Sequence, residues 1–187
     1  MFRKVNSDSA LEVFRLALIV GFILFAAAIR VLPHPWNFTP IGAMAIFSGA
    51  KLSKKWTAFF IPLAALFLGD LFVGFHKLML VVCLSFCLSV LIGRCLNGRQ
   101  TVLGISVATL MGAVQFFLIT NFAVWVYGFT PYAKTLSGLL TCYAAGIPFF
   151  GNTLAGDAFY TAILFGGFAL AGRLAPGFRS NDATLAS

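Results

Sequence analysis

Acidic residues are nearly missing from this chain. Five Asp and Glu stand against 13 Lys and Arg in 187 residues, and charged residues of either sign make up only 10%. A soluble domain carries about 25% charged residues, so this sequence cannot clothe a water-facing surface. That excludes a soluble enzyme, a nucleic-acid-binding domain and a disordered chain. Histidine occurs only twice, at His34 and His76, which leaves little for a haem or metal centre. The cysteines Cys83, Cys87, Cys95 and Cys142 form no CxxC pair and no disulfide framework. Metalloprotease H-E-x-x-H, hydrolase G-x-S-x-G and Walker patterns are all lacking, so any ATP drive must come from partners. The short alternating strands of a membrane barrel are lacking too.

What is present is apolar. Hydrophobic residues make up 60% of the chain, in continuous runs. We read it as an all-α polytopic membrane protein with a single membrane domain over 1–187. The formal charge of +8 sits between the runs, where it orients the chain in the bilayer rather than marking a nucleic-acid partner. The N-terminal run lacks a small-residue cleavage site in a suitable polar context and reads as a retained helix rather than a signal peptide.

A span needs about 20 residues. Helices are expected at about 14–32, 41–50, 56–76, 78–93, 101–127 and 153–173. The run 41–50 is short, and 136–150 is broken by Gly146 and Pro148. Counting 41–50 as a crossing and 136–150 as an apolar outer cap sorts the cations best. Arg3, Lys4, Lys51, Lys54, Lys55, Arg94, Arg99, Arg173 and Arg179 then share one side, with Lys77, Lys134 and Arg30 towards the other. Six helices with both termini in the cytoplasm follow, with no internal repeat of the two-halved transporter kind.

This topology gathers scattered polar residues into one outer layer. At 1.5 Å per residue, Asp70 and Asn121 lie about 9 Å below the outer ends of their helices, Cys83 about 7 Å and Asp157 about 6 Å. His34, Trp36, Asn37, Trp125, Tyr143 and Asn152 fall in or beside the outer loops. Intramembrane acids are costly and are functional candidates by default, so the layer suggests a pocket opening outward. Each group also has a structural reading. Asp70 can accept from helix ends or loop amides. Asp157, after Gly156, can sit on a helix N-terminal dipole. His34 and the tryptophans can be interfacial residues, and Cys83 and Cys87 small buried hydrophobes. Gln115, in mid-membrane, suits an interhelical hydrogen bond. Ala17-x-x-x-Gly21 on the first helix suits either close packing or docking to another membrane protein. Asp70, Cys83 and His34 together also allow an alternative reading as an intramembrane enzyme or cofactor-modifying protein.

Four stretches carry a resemblance: His34-Pro-Trp-Asn-Phe-Thr-Pro-Ile-Gly-Ala, Pro62-Leu-Ala-Ala-Leu-Phe-Leu-Gly-Asp-Leu-Phe-Val-Gly-Phe, Asn121-Phe-Ala-Val-Trp and Gly151-Asn-Thr-Leu-Ala-Gly-Asp. They resemble a family of small bacterial membrane proteins that includes the solitary BtuM-type substrate-binding (S) components of energy-coupling-factor vitamin transporters. The likeness covers about Leu16 to Arg173. It implies a six-helix S-component bundle in the inner membrane that takes up cobalamin (vitamin B12) or a related corrinoid from outside. It implies no cofactor of its own, and a coupling subunit with ATPases as partners, met through Ala17 and Gly21. It also implies a cysteine on the fourth helix that meets the corrinoid cobalt; Cys83 matches by depth, with Cys87 one turn deeper. On this reading the substrate-binding set is His34, Asn37, Asp70, Cys83, Asn121, Tyr143, Asn152 and Asp157.

The charge sorting has a direct consequence. In a cysteine-free background, Lys134→Cys should be labelled by a membrane-impermeant thiol reagent on intact cells, and Lys54→Cys only after lysis. The opposite pattern would overturn the six-helix topology.

Overall fold

The computed structural model describes residues 20–174 apart from 22, 53, 97–99 and 129–130. Ala17, Arg3, Lys4, Arg99 and Arg179 lie outside these residues. All regular structure among the described residues is helical. Helical residues 20, 21 and 23–31 belong to α1. It is followed by α2 (Ile41–Lys51), α3 (Lys55–Val73), α4 (Met79–Arg94), α5 (Val102–Tyr127) and α6 (Leu136–Leu174). Lys55–Val73, Val102–Tyr127 and Leu136–Leu170 are long and apolar enough to cross a membrane. Large apolar side chains such as Phe60, Phe72, Leu103, Leu110 and Leu140 stand exposed on the surface, as a hydrocarbon solvent demands. The chain is an all-α membrane bundle.

The buried sides are lined by small residues. On α5 they are Ala108, Thr109, Gly112, Ala113 and Ala123. Lipid supplies no hydrophobic drive between helices, so small side chains that let backbones approach replace it. The extreme case is the crossing of α2 and α4. A methyl group on Gly49 would overlap the Val90 carbonyl, and one on Gly93 would overlap the Ile46 carbonyl. Polar side chains reinforce these contacts. Ser48 Oγ donates to Ala58 O on α3 at 2.8 Å. Gln115 Nε2 donates from α5 to Ser85 O and Ser89 Oγ on α4, at 3.0 and 2.9 Å, which is the interhelical role expected of it.

α2 sits in the middle of the bundle and packs against α3, α4, α5 and α6. Its 11 residues reach about 16 Å, roughly half of the hydrocarbon thickness of about 30 Å. Buried Ile41, Met44 and Leu66 join Ile61, Val90 and Tyr160 in the main core cluster.

Two boundaries differ from expectation. α3 ends at Val73 because Gly74 turns to φ 102°, its N–H closing back on Asp70 O at 2.8 Å. The expected cap 136–150 and the last helix are one helix of 39 residues with Pro148 inside it. Unpaired backbone groups are so costly in lipid that a helix runs on through a proline rather than stopping. The 136–150 part lies along the C-terminal half of α5. Tyr143 Oη donates to Leu118 O at 2.9 Å, and the Phe117 ring meets those of Tyr143 and Phe150 at a tilt, with centroids at 5.6 and 5.0 Å. A straight helix of that length would reach about 58 Å, so α6 must bend or project, and Pro148 supplies the site for a bend.

The α2–α4 crossing generates a paired prediction. Gly93→Ala should cost about 1–3 kcal/mol through forced separation of two backbones. Gly166→Ala, whose added carbon meets nothing within 4 Å, should be neutral or stabilising by up to about 1 kcal/mol. Thermal unfolding in detergent compares the two directly.

Candidate functional site

The short α2 leaves space at its N-terminal end. A cavity of about 480 Å³ lies there, walled by loop 32–40, the α3–α4 link and the facing sides of α4, α5 and α6. Its charged and amide-bearing walls are Arg30, His34, Asn37, His76 and Asp157; Trp36, Phe86 and Phe116 supply aromatic faces. Thr39, Ser89 and Thr153 add hydroxyls. On α4 the lining is Val82, Phe86 and Ser89, a spacing that keeps all three on one helix face.

Two carboxylates shape this end of the bundle in different ways. Asp70 is fully buried and forms an ion pair with Arg30 Nη2, joining α3 to α1. Gly69 makes the pair possible, because a Cβ there would strike the Arg30 side chain. Arg30 reaches the cavity and Asp70 stands behind it. Arg30 Nε and Asp70 Oδ2 keep no hydrogen-bond partner among the described residues.

Asp157 lines the cavity with 6% of its surface exposed. Its carboxylate lies against the backbone of Gly42 and faces the Ala43 N–H in the first turn of α2. The α2 cap residue, Pro40, offers no side-chain hydrogen bond, so the carboxylate of another helix satisfies that end. Gly42 gives it access, since a Cβ there would overlap Asp157 Oδ1. The helix N-terminus beside Asp157 is therefore that of α2; Asp157 itself lies well inside α6.

Loop 32–40 forms the mouth. Asn37 adopts φ 65°, a left-handed conformation that Asn tolerates, and Phe38 N–H closes the turn on Pro35 O at 3.0 Å. Trp36 remains 78% exposed beside the opening. His34 Nδ1 donates to Leu32 O at 2.6 Å. A carbonyl only accepts, so Nδ1 carries the proton and Nε2 of the neutral ring is left as an acceptor.

Of the residues singled out in the sequence, His34, Asn37 and Asp157 converge on the cavity, whereas Asp70 does not line it. Cys83 and Cys87 do not line it either; Cys83 packs against the main core cluster. Equal depth along a helix fixed the level of Cys83 but not its face. Asn121 donates within α5 to Phe117 O at 2.9 Å, Tyr143 bonds α5, and Asn152 lies outside the lining. Gly21 is exposed, with open space beside it. Of Asp70, Cys83 and His34, His34 alone lines the cavity. Among the described residues, no group of three or more His, Cys, Asp or Glu is placed to hold a metal.

Arg30, His76, Ser89, Gly112 and Thr153 were not singled out as site residues. Arg30 could have been found: a cation inside an apolar run must have a partner, and Gly69-Asp70 stands in the other apolar run of that layer. His76 gave no such signal, since a histidine between two helices is also a simple loop residue.

A protein family of unknown function, DUF6580, matches residues 11–178, and the chain belongs to that family. No curated protein and no solved structure matches it.

The buried pair sets a stability test. Asp70→Asn leaves Arg30 uncompensated and should cost about 3–5 kcal/mol. Adding Arg30→Gln should recover much of that loss, because the unpaired charge goes with it. Thermal unfolding of the two single variants and the double variant measures the coupling; additive losses would show that the pair contributes nothing as a pair.

Proposed function

We propose that the chain is a membrane substrate-binding component, with its cavity facing outward to capture a small molecule for uptake. The observation that carries this reading is the cavity itself. It collects an arginine, two histidines, an asparagine and an aspartate at one end of an otherwise apolar bundle. Small-molecule sites have this character, a largely preformed cavity with apolar walls and a few placed polar groups, and they span about 300–1,000 Å³.

Orientation follows from charge. Lys51, Arg94 and Arg173 close α2, α4 and α6 at the far end, and Lys54 and Lys55 open α3 there. Lys77 and Lys134 flank the cavity end. Positive-inside sorting then puts the cavity on the outer face of a bacterial inner membrane, with both termini in the cytoplasm. Cobalamin is the ligand proposed by the sequence resemblance, with a coupling subunit and ATPases as partners. A whole corrinoid needs more room than about 480 Å³, so that ligand requires loop 32–40 to open and α4 to turn Cys83 towards it. A smaller ligand requires neither movement.

The test uses the full chain in lipid nanodiscs, titrated calorimetrically with cobalamin, cobinamide and a set of smaller vitamins. Saturable binding that Thr153→Trp abolishes, by filling the cavity, is the expected result. No binding by any of them, or binding that Thr153→Trp leaves untouched, would overturn the assignment of this cavity. A change in the visible corrin spectrum that is lost in Cys83→Ser would favour cobalamin.

A further inference from the structure

The charges around the cavity do not balance, and the imbalance has a chemical meaning. Arg30 is its one lysine or arginine, and that charge is already neutralised by Asp70. Asp157 has no such partner. No cationic side chain reaches it among the described residues; it faces the Ala43 N–H at the start of α2 instead. A buried carboxylate is costly unless paired, and one helix N-terminus contributes only about half a charge. Asp157 is only 6% exposed and lines the cavity, so the missing partner can come from there.

The remaining walls agree in sign. Phe86 and Phe116, stacked on each other with centroids 5.0 Å apart, line the cavity with Trp36, and aromatic rings attract cations. His34 presents an acceptor nitrogen in its neutral form.

From this charge pattern we infer that the cavity selects a small organic cation carrying an aromatic ring, its ammonium or ring N–H group held by Asp157 and its ring by the aromatic wall. This rests on the reading of the cavity as a ligand site and names the class of ligand. The same geometry disfavours carboxylates and phosphates, which would meet Asp157 without a free cation to receive them.

A charge series on one ring tests this. Benzylammonium, benzyl alcohol and benzoate share their ring and differ in charge. Calorimetric titration of the full chain in nanodiscs of zwitterionic lipid, which avoids ionic partitioning of the probe, should give benzylammonium at least tenfold tighter than benzyl alcohol, and benzoate weakest. Asp157→Asn keeps an oxygen for the Ala43 N–H and should erase the preference. The series on the unaltered chain needs no variant, so the inference stays exposed to refutation if that variant fails to fold. Equal affinities, a preference for benzoate, or a cation preference that survives Asp157→Asn would each overturn it. Tight cobalamin binding with no cation preference would overturn this inference alone and leave the uptake reading standing. No binding by the three probes or by any vitamin would overturn both.

Discussion

The shortness of α2 is the constraint on which the rest of the bundle depends. A helix of 11 residues placed centrally in a hydrocarbon slab cannot bring both its ends to water, so both must be satisfied by protein. At the C-terminal end Gln100 Nε2 reaches Ala50 O at 3.0 Å, and the Leu52 N–H closes on Ser48 O at 3.0 Å. At the N-terminal end Asp157 crosses from α6 to the Ala43 N–H. The same shortness empties space above that end, which loop 32–40 only partly fills. The cavity and the buried carboxylate are thus two results of one length mismatch.

Glycine placement turns this constraint into a specific arrangement. Gly42 admits Asp157 to the backbone of α2, Gly69 admits the Arg30 side chain beside Asp70, and Gly49 and Gly93 bring α2 and α4 into backbone contact. Each exchanges some helix propensity, about 0.5–1 kcal/mol in an exposed helix, for an approach that no other residue allows. At Gly42 and Gly69 the result is electrostatic. At Gly49 and Gly93 it is steric. The bundle carries few hydrophobic contacts that lipid would not also supply, so these approaches specify how its helices meet.

The class of fold was legible because composition alone excludes water as the main solvent, and long apolar runs translate directly into helices. The polar layer was legible in part. Asp157, His34 and Asn37 reach the cavity because all three belong to the same level and to elements that meet there. Asp70 and Cys83 are at that level as well, yet they point elsewhere. Depth follows from residue counting at 1.5 Å per residue, but azimuth requires knowing which face is buried; on α4 that face is marked by Ser85, Ser89 and Gly93 at four-residue spacing, a row that does not include Cys83. The segment 136–150 shows the other limit. Gly146 and Pro148 end helices in water, where freed carbonyls find solvent; in lipid the helix continues, so the punctuation loses its meaning.

The two ends of the bundle differ in how they are closed, and this bears on any uptake role. At the cavity end closure depends on a nine-residue loop with an exposed Trp36, which rotamer and loop motions can displace. Towards the cationic end, Gly49 and Gly93 bring the α2 and α4 backbones into contact, and Phe47 meets Phe165 edge-on with centroids at 5.1 Å. A backbone contact has no rotamer to flip. Passage of a ligand through the protein would require α2 and α4 to slide or separate as whole helices, breaking the core that α2 organises. Access from the cavity end and resistance at the other would suit the proposed uptake role, in which the work of opening the second end would fall to the proposed coupling partner.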